Sequence, residues 1–134
     1  MSVIEQHFRD RRRSRPISWY KNLSLQNQTY SFIYFFLQED CASFLENNSL
    51  AVIDFFADWC GPCKMIAPKV KDLALAFASV KFGKVNVDDA EEVAQKYDVS
   101  AMPTFILFKD GQKFDTIVGA NEAKLKEGVE KLVK

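Results

Sequence analysis

Two cysteines separated by two residues, Cys60 and Cys63, form the part of this sequence with the clearest chemistry. Thiols at this spacing can close a small disulfide ring and open it again, so the segment is a candidate two-electron switch. Gly61 and Pro62, between the cysteines, set the shape and stiffness of the ring and therefore its redox poise. A proline in the first turn of a helix loses no intrahelical hydrogen bond, so Pro62 is compatible with a helix that starts here.

Cys60 lies where a predicted strand ends and a predicted helix begins. The unpaired N–H groups and the positive end of the helix dipole at such a position favour a thiolate over a thiol. Cys63 lies one helical turn further on, and we expect it to be the more buried of the two. These positions predict that Cys60 attacks a substrate disulfide and that Cys63 then resolves the mixed disulfide.

A zinc half-site and a purely structural disulfide are the alternatives for this cysteine pair. Zinc requires four ligands of the Cys or His type, but the chain has only one further cysteine, Cys41, and one histidine, His7, near its start. A structural disulfide at this spacing closes a loop too short to restrain much of the chain. We therefore expect no bound metal.

Composition indicates one domain with a substantial core, because the chain has 134 residues and 48% of them are hydrophobic. It carries 18 basic and 18 acidic residues, but residues 1–31 hold six of the basic ones and only two acids. The remainder is mildly acidic, which does not favour a nucleic-acid-binding face. Three cysteines are few for a secreted disulfide scaffold. Residues 1–15 lack the apolar core of a secretory signal. The apolar run at 30–37 is too short to span a bilayer. A soluble protein of a reducing compartment is expected.

The hydrophobic pattern from residue 32 onward predicts alternating strands and helices. Strands are predicted at 32–37, 50–57, 80–87, 104–109 and 113–118, and helices are predicted to start near Asp40, Cys60, Asp89 and Asn121, with Asp40 and Asn121 as caps. In the helix after Cys60, a stripe recurs at helical spacing: Ile66, Val70, Leu73 and Phe77. Asp89 with Glu92 resembles a capping box, and Leu125, Val129, Leu132 and Val133 are predicted to face inward from the last helix. Asp110-Gly111 is typical of a tight hairpin. The order β-α-β-α-β-α-β-β-α predicts an α/β fold with a mixed central sheet and helices on both faces.

The sequence around the cysteines resembles the thioredoxin family. Its active-site motif is matched by Trp59-Cys60-Gly61-Pro62-Cys63-Lys64, and the supporting matches are Asp54, Pro68, Lys84, Met102-Pro103-Thr104 and Gly119. The resemblance covers about residues 39 to 134, and the sequences of its motifs are similar to those of eukaryotic thioredoxins. It implies a thioredoxin fold and a protein-disulfide reductase that receives electrons from a separate thioredoxin reductase, with no organic cofactor of its own.

An acid and a lysine are assigned supporting roles by this resemblance. Asp54 interrupts an apolar strand, so burial should raise its pKa; the alternative is a strand-edge acid in water. The resemblance makes Asp54 the proton acceptor for Cys63 and places Lys84 beside it, where Lys84 would tune the redox pair. For Lys84, an ordinary solvated strand lysine is the alternative.

The substrate-binding residues are also implied by the resemblance. Met102-Pro103 would form a cis-proline loop that faces the cysteines, although a trans bond is favoured for an X–Pro pair in general. The backbone of Met102 would then pair with an extended substrate strand. The rim around the Cys60 sulfur would consist of Trp59, Gly61, Pro62, Met102 and Gly119. Cys41 lies on the inward stripe of the first helix and is interpreted as a small buried hydrophobe.

Residues 1–31 are predicted to form an extension that is disordered or serves in targeting, ahead of a domain at 32–134. The Arg11-Arg12-Arg13 cluster allows a mitochondrial presequence, but Glu5 and Asp10 count against it, so a cytoplasmic location is favoured. A further hypothesis is that the unusual run at 32–37 is a translated intron end.

Two other functions remain open at the level of sequence. A disulfide oxidase or isomerase can use the same fold, although such relatives typically place a histidine beside the second cysteine, where this chain has Pro62. A redox-silent binding or assembly module is the other alternative, against which the intact Cys60, Cys63 and Asp54 count. The expected partners are thioredoxin reductase and many disulfide-containing proteins, and the expected state is a monomer that binds neither nucleic acid nor membrane.

Overall fold

The computed structural model describes residues 32–34 and 38–134. Five strands form one sheet: β1 (Phe32–Tyr34), β2 (Leu50–Phe56), β3 (Lys81–Asn86), β4 (Thr104–Lys109) and β5 (Gln112–Val118). Four helices accompany them: α1 (Gln38–Asn47), α2 (Gly61–Ala76), α3 (Glu91–Lys96) and α4 (Glu122–Leu132). The predicted element order is confirmed. The predictions for residues 1–31, and the end of the predicted first strand at 35–37, lie outside the described residues.

The strand order in the sheet is β1-β3-β2-β4-β5, which places β2 at the centre. Strand β3 pairs in parallel with both β1 and β2, whereas β4 pairs antiparallel with β2 and with β5. The parallel pair β2–β3 needs a crossover, and α2 supplies it. Asp110 and Gly111 both have positive φ, at 52° and 80°, as the tight turn between β4 and β5 requires. The mixed sheet predicted from the sequence is therefore confirmed.

The core lies on both faces of the sheet, because successive side chains of a strand point to opposite sides. Val52 of β2 packs in the cluster with α2 and α4, while Ile53 and Phe55 pack in a second cluster with α1 and α3. All three are fully buried. Of the predicted stripe on α2, Ile66, Val70 and Leu73 are buried against the first face, while Phe77 follows the end of the helix and packs there partly buried. Because β2 is covered by helices on both faces of the sheet, almost all of its residues are apolar. The same packing on both faces holds the carboxyl end of β2 in place.

Three local predictions were wrong. Helix α1 begins at Gln38, so Asp40 lies within its first turn rather than at its cap. The N-cap of α3 is Ala90 rather than Asp89, and the carbonyl of Asn86 accepts the N–H groups of both Asp89 and Ala90 in a tight turn before the helix. Val133 is exposed, since α4 ends at Leu132.

The cap of the last helix forms as predicted. Asn121 precedes α4, and its side-chain oxygen accepts the N–H of Lys124 at 3.0 Å. Leu125, Val129 and Leu132 are fully buried, as predicted. Over residues 32–34 and 38–134, no helix is long and apolar enough to cross a membrane.

Candidate active site

The cysteine pair lies at the junction between β2 and α2. The N–H of Cys60 donates to the carbonyl of Ala57 at 3.1 Å, which closes a turn directly after the strand. Cys60 is the N-cap of α2, and its Sγ accepts the backbone N–H of Cys63 at 3.1 Å. The two cysteines are joined by a disulfide, with their Cα atoms 5.3 Å apart. Cys60 thus occupies the helix start that the sequence indicated.

The prediction that Cys63 is the more buried cysteine was wrong. Cys60 is 4% exposed and Cys63 is 7% exposed. Cys60 is covered because the N-cap turn folds it back onto Ala57, and because Met102 packs against the same cluster. Gly61 and Pro62, by contrast, are exposed and form the outer surface of the first helical turn.

A proline loop is brought against the cysteines by the fold. The Met102–Pro103 peptide bond is cis, as the resemblance implied. Met102 packs against the cluster of Ala57, Cys60 and Cys63. The carbonyl of Pro103 accepts the N–H of Gly119 at 2.8 Å, which holds the end of β5 beside this loop. Gly119 has φ of 95°, a conformation that L-residues with a side chain rarely adopt.

Asp54 is buried inside the sheet, which excludes the strand-edge alternative. It is 4% exposed, and its Oδ1 has no hydrogen-bond partner among the described residues. Desolvation raises the pKa of Asp54 from 3.8 to about 6, and the positive charge of Lys84 opposes that shift. Alternation along β2 places Asp54 on the face of Val52 and Phe56, and Phe56 packs against the cysteine cluster. The buried acid therefore lies beneath the site, on the side covered by α2.

Lys84 lies directly across from Asp54 on the neighbouring strand β3. It is only partly exposed, and its Nζ lies 4.7 Å from the centre of the Phe56 ring. A cation over an aromatic face is held by the ring quadrupole. Lys84 therefore belongs to the surroundings of the buried acid and is not a fully solvated strand lysine.

Trp59, next to Cys60 in the chain, is held by residues that sequence reasoning missed. The indole is 68% exposed, and its Nε1 donates to Oδ2 of Asp88 at 2.8 Å. Asn86 is buried at the end of β3; its Oδ1 accepts the N–H of Asp88, and its Nδ2 donates to Asp58 at 3.3 Å. A signal existed, because polar residues follow both β2 and β3, and the carboxyl ends of parallel neighbours meet at one edge of a sheet.

Cys41 lies apart from this site. It is 1% exposed and belongs to the cluster on the α1 and α3 face, whereas Cys60 and Cys63 form a separate cluster. Burial raises the pKa of the Cys41 thiol to about 12. The interpretation as a small buried hydrophobe is confirmed. Over the part of the chain that the structure describes, no three His, Cys, Asp or Glu side chains are grouped so as to hold a metal ion.

The fold and the site together define a class of protein. A mixed sheet carries a cysteine pair at the N-terminus of the helix that follows its central strand, and a cis-proline loop packs against that pair. This is the geometry of a thiol–disulfide exchange protein.

The comparisons with known proteins agree with this class. Residues 34–131 match the Thioredoxin family model. Thioredoxin-2 of Pyricularia oryzae is 51% identical over 65% of this chain, and Thioredoxin-1 of Saccharomyces cerevisiae is 46% identical over the same share. These matches span 51% of the Pyricularia protein and 84% of the yeast protein.

Solved structures show the same similarity. The oxidised crystal structure of mitochondrial thioredoxin 3 from Saccharomyces cerevisiae has a TM-score of 0.75 and 39% identity, covering 78% of this chain and 98% of that one. The chain belongs to the thioredoxin family. Members of this family are protein-disulfide oxidoreductases, and the family match together with the adjacent cysteine pair supports protein-disulfide reductase activity by dithiol–disulfide exchange.

Proposed function

We propose that this chain reduces disulfides of other proteins by dithiol–disulfide exchange through Cys60 and Cys63. The observation that carries the proposal is the position of the Cys60 sulfur, which caps α2 and accepts the N–H of Cys63 at 3.1 Å. A donor and a helix dipole aimed at one sulfur stabilise negative charge on that sulfur after the disulfide is reduced. Cys60 is therefore the nucleophile.

The exchange proceeds in two displacements. The Cys60 thiolate attacks one sulfur of the substrate disulfide, forms a mixed disulfide and releases the other substrate sulfur as a thiolate. Cys63 then attacks the Cys60 sulfur and releases the second substrate thiolate, which takes up a proton. The substrate gains two electrons, and Cys60 and Cys63 end as the disulfide seen in the structure.

Asp54 accepts the proton of Cys63 in the second displacement. Cys63 attacks efficiently only as a thiolate, so its proton must leave at that step. A carboxylate whose pKa is raised to about 6 by burial is matched to proton transfer near neutral pH. Asp54 lies on the face of β2 that carries Phe56, next to the cysteine cluster. Lys84, across the strand pair, tunes this acid, while Gly61 and Pro62 tune the ring.

The substrate binds around the Cys60 sulfur, in contact with four residues: Trp59, Met102, Pro103 and Gly119. Trp59 presents its ring to solvent while Asp88 holds its N–H, and Met102 packs against the cysteines from the opposite loop. An extended substrate segment between them adds to the backbone at Met102 in the manner of an extra strand. A surface that relies on backbone pairing and apolar contact accepts many sequences, which suits a general reductase.

Further parts of the proposal concern partners and place. The electrons come from a separate thioredoxin reductase, no further cofactor is used, and the chain works as a monomer on many disulfide-containing proteins. The cytoplasm is the proposed location, with the mitochondrion as the alternative should residues 1–31 act as a presequence. The similarity to a mitochondrial thioredoxin of Saccharomyces cerevisiae keeps that alternative in consideration.

The direct test is turnover of a protein disulfide, such as insulin, with NADPH and a thioredoxin reductase. Cys60→Ser should abolish turnover, and Cys63→Ser should accumulate a mixed disulfide that mass spectrometry detects on Cys60. Cys41→Ala is the matched control, because that thiol lies in a different cluster, and it should keep turnover near that of the wild type. Full turnover by Cys60→Ser would overturn the proposal.

The role of Asp54 is tested by separating the two displacements in stopped-flow measurements. Asp54→Ala should slow release of the reduced product more than it slows the first attack, because only the second step needs the proton acceptor. Equal slowing of both steps would show that Asp54 acts on the site as a whole rather than on Cys63.

A further inference from the structure

We infer that Met65 is a specificity-determining contact, which receives an apolar side chain that flanks the attacked cysteine of the protein substrate. The inference rests on the proposed function, since it requires a substrate joined to Cys60. It extends the rim of Trp59, Gly61, Pro62, Met102 and Gly119 along α2, beyond the first helical turn that Gly61 and Pro62 already contribute.

Met65 is unusually open to solvent for a methionine. It is 78% exposed, more than the five other exposed large hydrophobic residues of the described chain. Those five are Trp59, Leu75, Phe114, Val118 and Val133. A single exposed apolar side chain is common on protein surfaces, so exposure alone assigns no role. The position of Met65 relative to the cysteines decides the matter.

Met65 lies on the first turns of the helix that Cys60 caps. It is four residues after Gly61 and three after Pro62, and residues at these spacings are neighbours on a helix surface. A rise of 1.5 Å per residue puts Met65 only about 6 Å further along the axis than Gly61. Long side chains in helices lean back toward the N-terminus. The thioether therefore extends toward the cysteine end of α2.

The surface between Met65 and the cysteines is open. A Cβ placed on Gly61 would meet nothing within 4 Å, and both Gly61 and Pro62 are exposed. The side of the first turn that carries Gly61 and Pro62 is therefore open among the described residues, and a substrate segment can lie across it. Gly61, Pro62 and Met65 thus form an apolar patch on the surface of α2. Lys64 is the exposed neighbour of Met65 on the same turn and gives this patch a charged border.

The geometry of a mixed disulfide brings substrate to this patch. The Cα atoms of two bonded cysteines lie about 4 to 7 Å apart, so the attacked cysteine must lie against the start of α2. An extended chain advances about 3.3 Å per residue. A side chain two or three positions from the attacked cysteine can therefore reach Met65. The flexible, polarisable thioether can fit apolar partners of different shapes.

The experiment compares Met65→Gln with Leu75→Gln in the full chain. Leu75 is a matched control, because it is also exposed on α2, at 58%, but lies ten residues further from the cysteine end than Met65. The probes are short peptide disulfides in which one leucine is moved through the three positions on either side of the attacked cysteine, with serine in its place as reference. A small aromatic disulfide without a peptide serves as the probe of sulfur chemistry alone.

We expect the wild type to prefer leucine at one of these positions by about fivefold in kcat/KM, as burial of a few methylene groups provides. Met65→Gln should remove most of that preference, Met65→Leu should restore it, and Leu75→Gln should leave it intact. Reaction with the small disulfide should stay within about twofold for all four proteins, since the sulfur itself is unchanged.

Two results would overturn the inference while leaving the proposed function standing: a leucine preference that survives in Met65→Gln, or one that Leu75→Gln removes equally. Absence of any leucine preference in an active wild type would also overturn it. If the wild type reduces no protein or peptide disulfide at all, the proposed function itself fails.

Discussion

Asp54 should make the folded protein less stable as the pH rises, because its charge is buried. Its pKa is raised from 3.8 to about 6, mainly by desolvation. Between these two values the folded chain holds a proton that the unfolded chain has lost, so the free energy of unfolding falls as pH increases through this interval and levels off above it. Stability from this group is therefore fully present at low pH and absent at neutral pH.

The magnitude follows from the size of the shift. Each tenfold change in the acid dissociation constant corresponds to about 1.4 kcal/mol, so ionised Asp54 costs the fold about 3 kcal/mol above pH 6. Asp54→Ala removes that cost but leaves a small cavity, whose penalty is the same at every pH. The gain of the variant over the wild type should therefore grow by about 2 to 3 kcal/mol between pH 4 and pH 8.

Guanidinium unfolding of the oxidised protein at several pH values measures this difference. The oxidised form is used because the disulfide removes the titration of Cys60 and Cys63. Asp72→Ala, which removes an exposed carboxylate from α2, is the control and should follow the wild-type curve. Parallel stability curves for Asp54→Ala and the wild type would refute the argument that burial raises the pKa of this acid.

Three further changes test the surroundings of the site and the core beneath the sheet. Asp88→Ala removes the 2.8 Å bond that holds the Trp59 indole; KM for a protein disulfide should rise about threefold, roughly the worth of one hydrogen bond, and an unchanged KM would show that this bond does not order the rim. Gly119→Ala should lower stability by about 1 kcal/mol in thermal unfolding, because alanine is strained at a φ of 95°. No neighbour lies near the new Cβ, so backbone strain is the only cost; an unaltered melting temperature would contradict this. Leu125→Ala should lower the free energy of unfolding by about 3 kcal/mol in chemical denaturation, since Leu125 is fully buried. A loss below about 1 kcal/mol would mean that the neighbouring side chains close the cavity, contrary to this expectation.

Most of the secondary structure could be predicted because it depends on local periodicity. The apolar run of β2, the stripe on α2 and the Asp110-Gly111 turn each follow from residues that are neighbours in the chain. The errors fell at the ends of elements. There, one or two hydrogen bonds separate neighbouring boundaries: α3 is capped at Ala90, one residue after the predicted cap Asp89, behind a turn in which Asn86 accepts two N–H groups.

The candidate site divides in the same way. The cysteine pair and the buried acid were visible in the sequence, because Asp54 interrupts an apolar strand and Cys60 precedes an obvious helix. The bond from Trp59 to Asp88 was not visible, because it joins residues 29 positions apart. It depends on β2 and β3 ending at the same edge of the sheet, and strand order is a property of the whole fold.

The relative burial of the two cysteine residues likewise needed the fold. Counting residues along α2 predicted that Cys63 would be the more covered, whereas Cys60 is at least as buried, since Met102 reaches it from a loop about forty residues away in sequence.

Sequence alone therefore predicted a pair of neighbouring thiols and the strand and helix that hold them, because those properties depend on residue type and on spacing within one segment. Tertiary structure decided how the groups near those thiols are placed: Met102 packed against the cysteines, the indole of Trp59 bonded to Asp88, and the open side of the first turn at Gly61. These features arise where distant segments meet, and only the packing of the sheet and its helices determines where that happens.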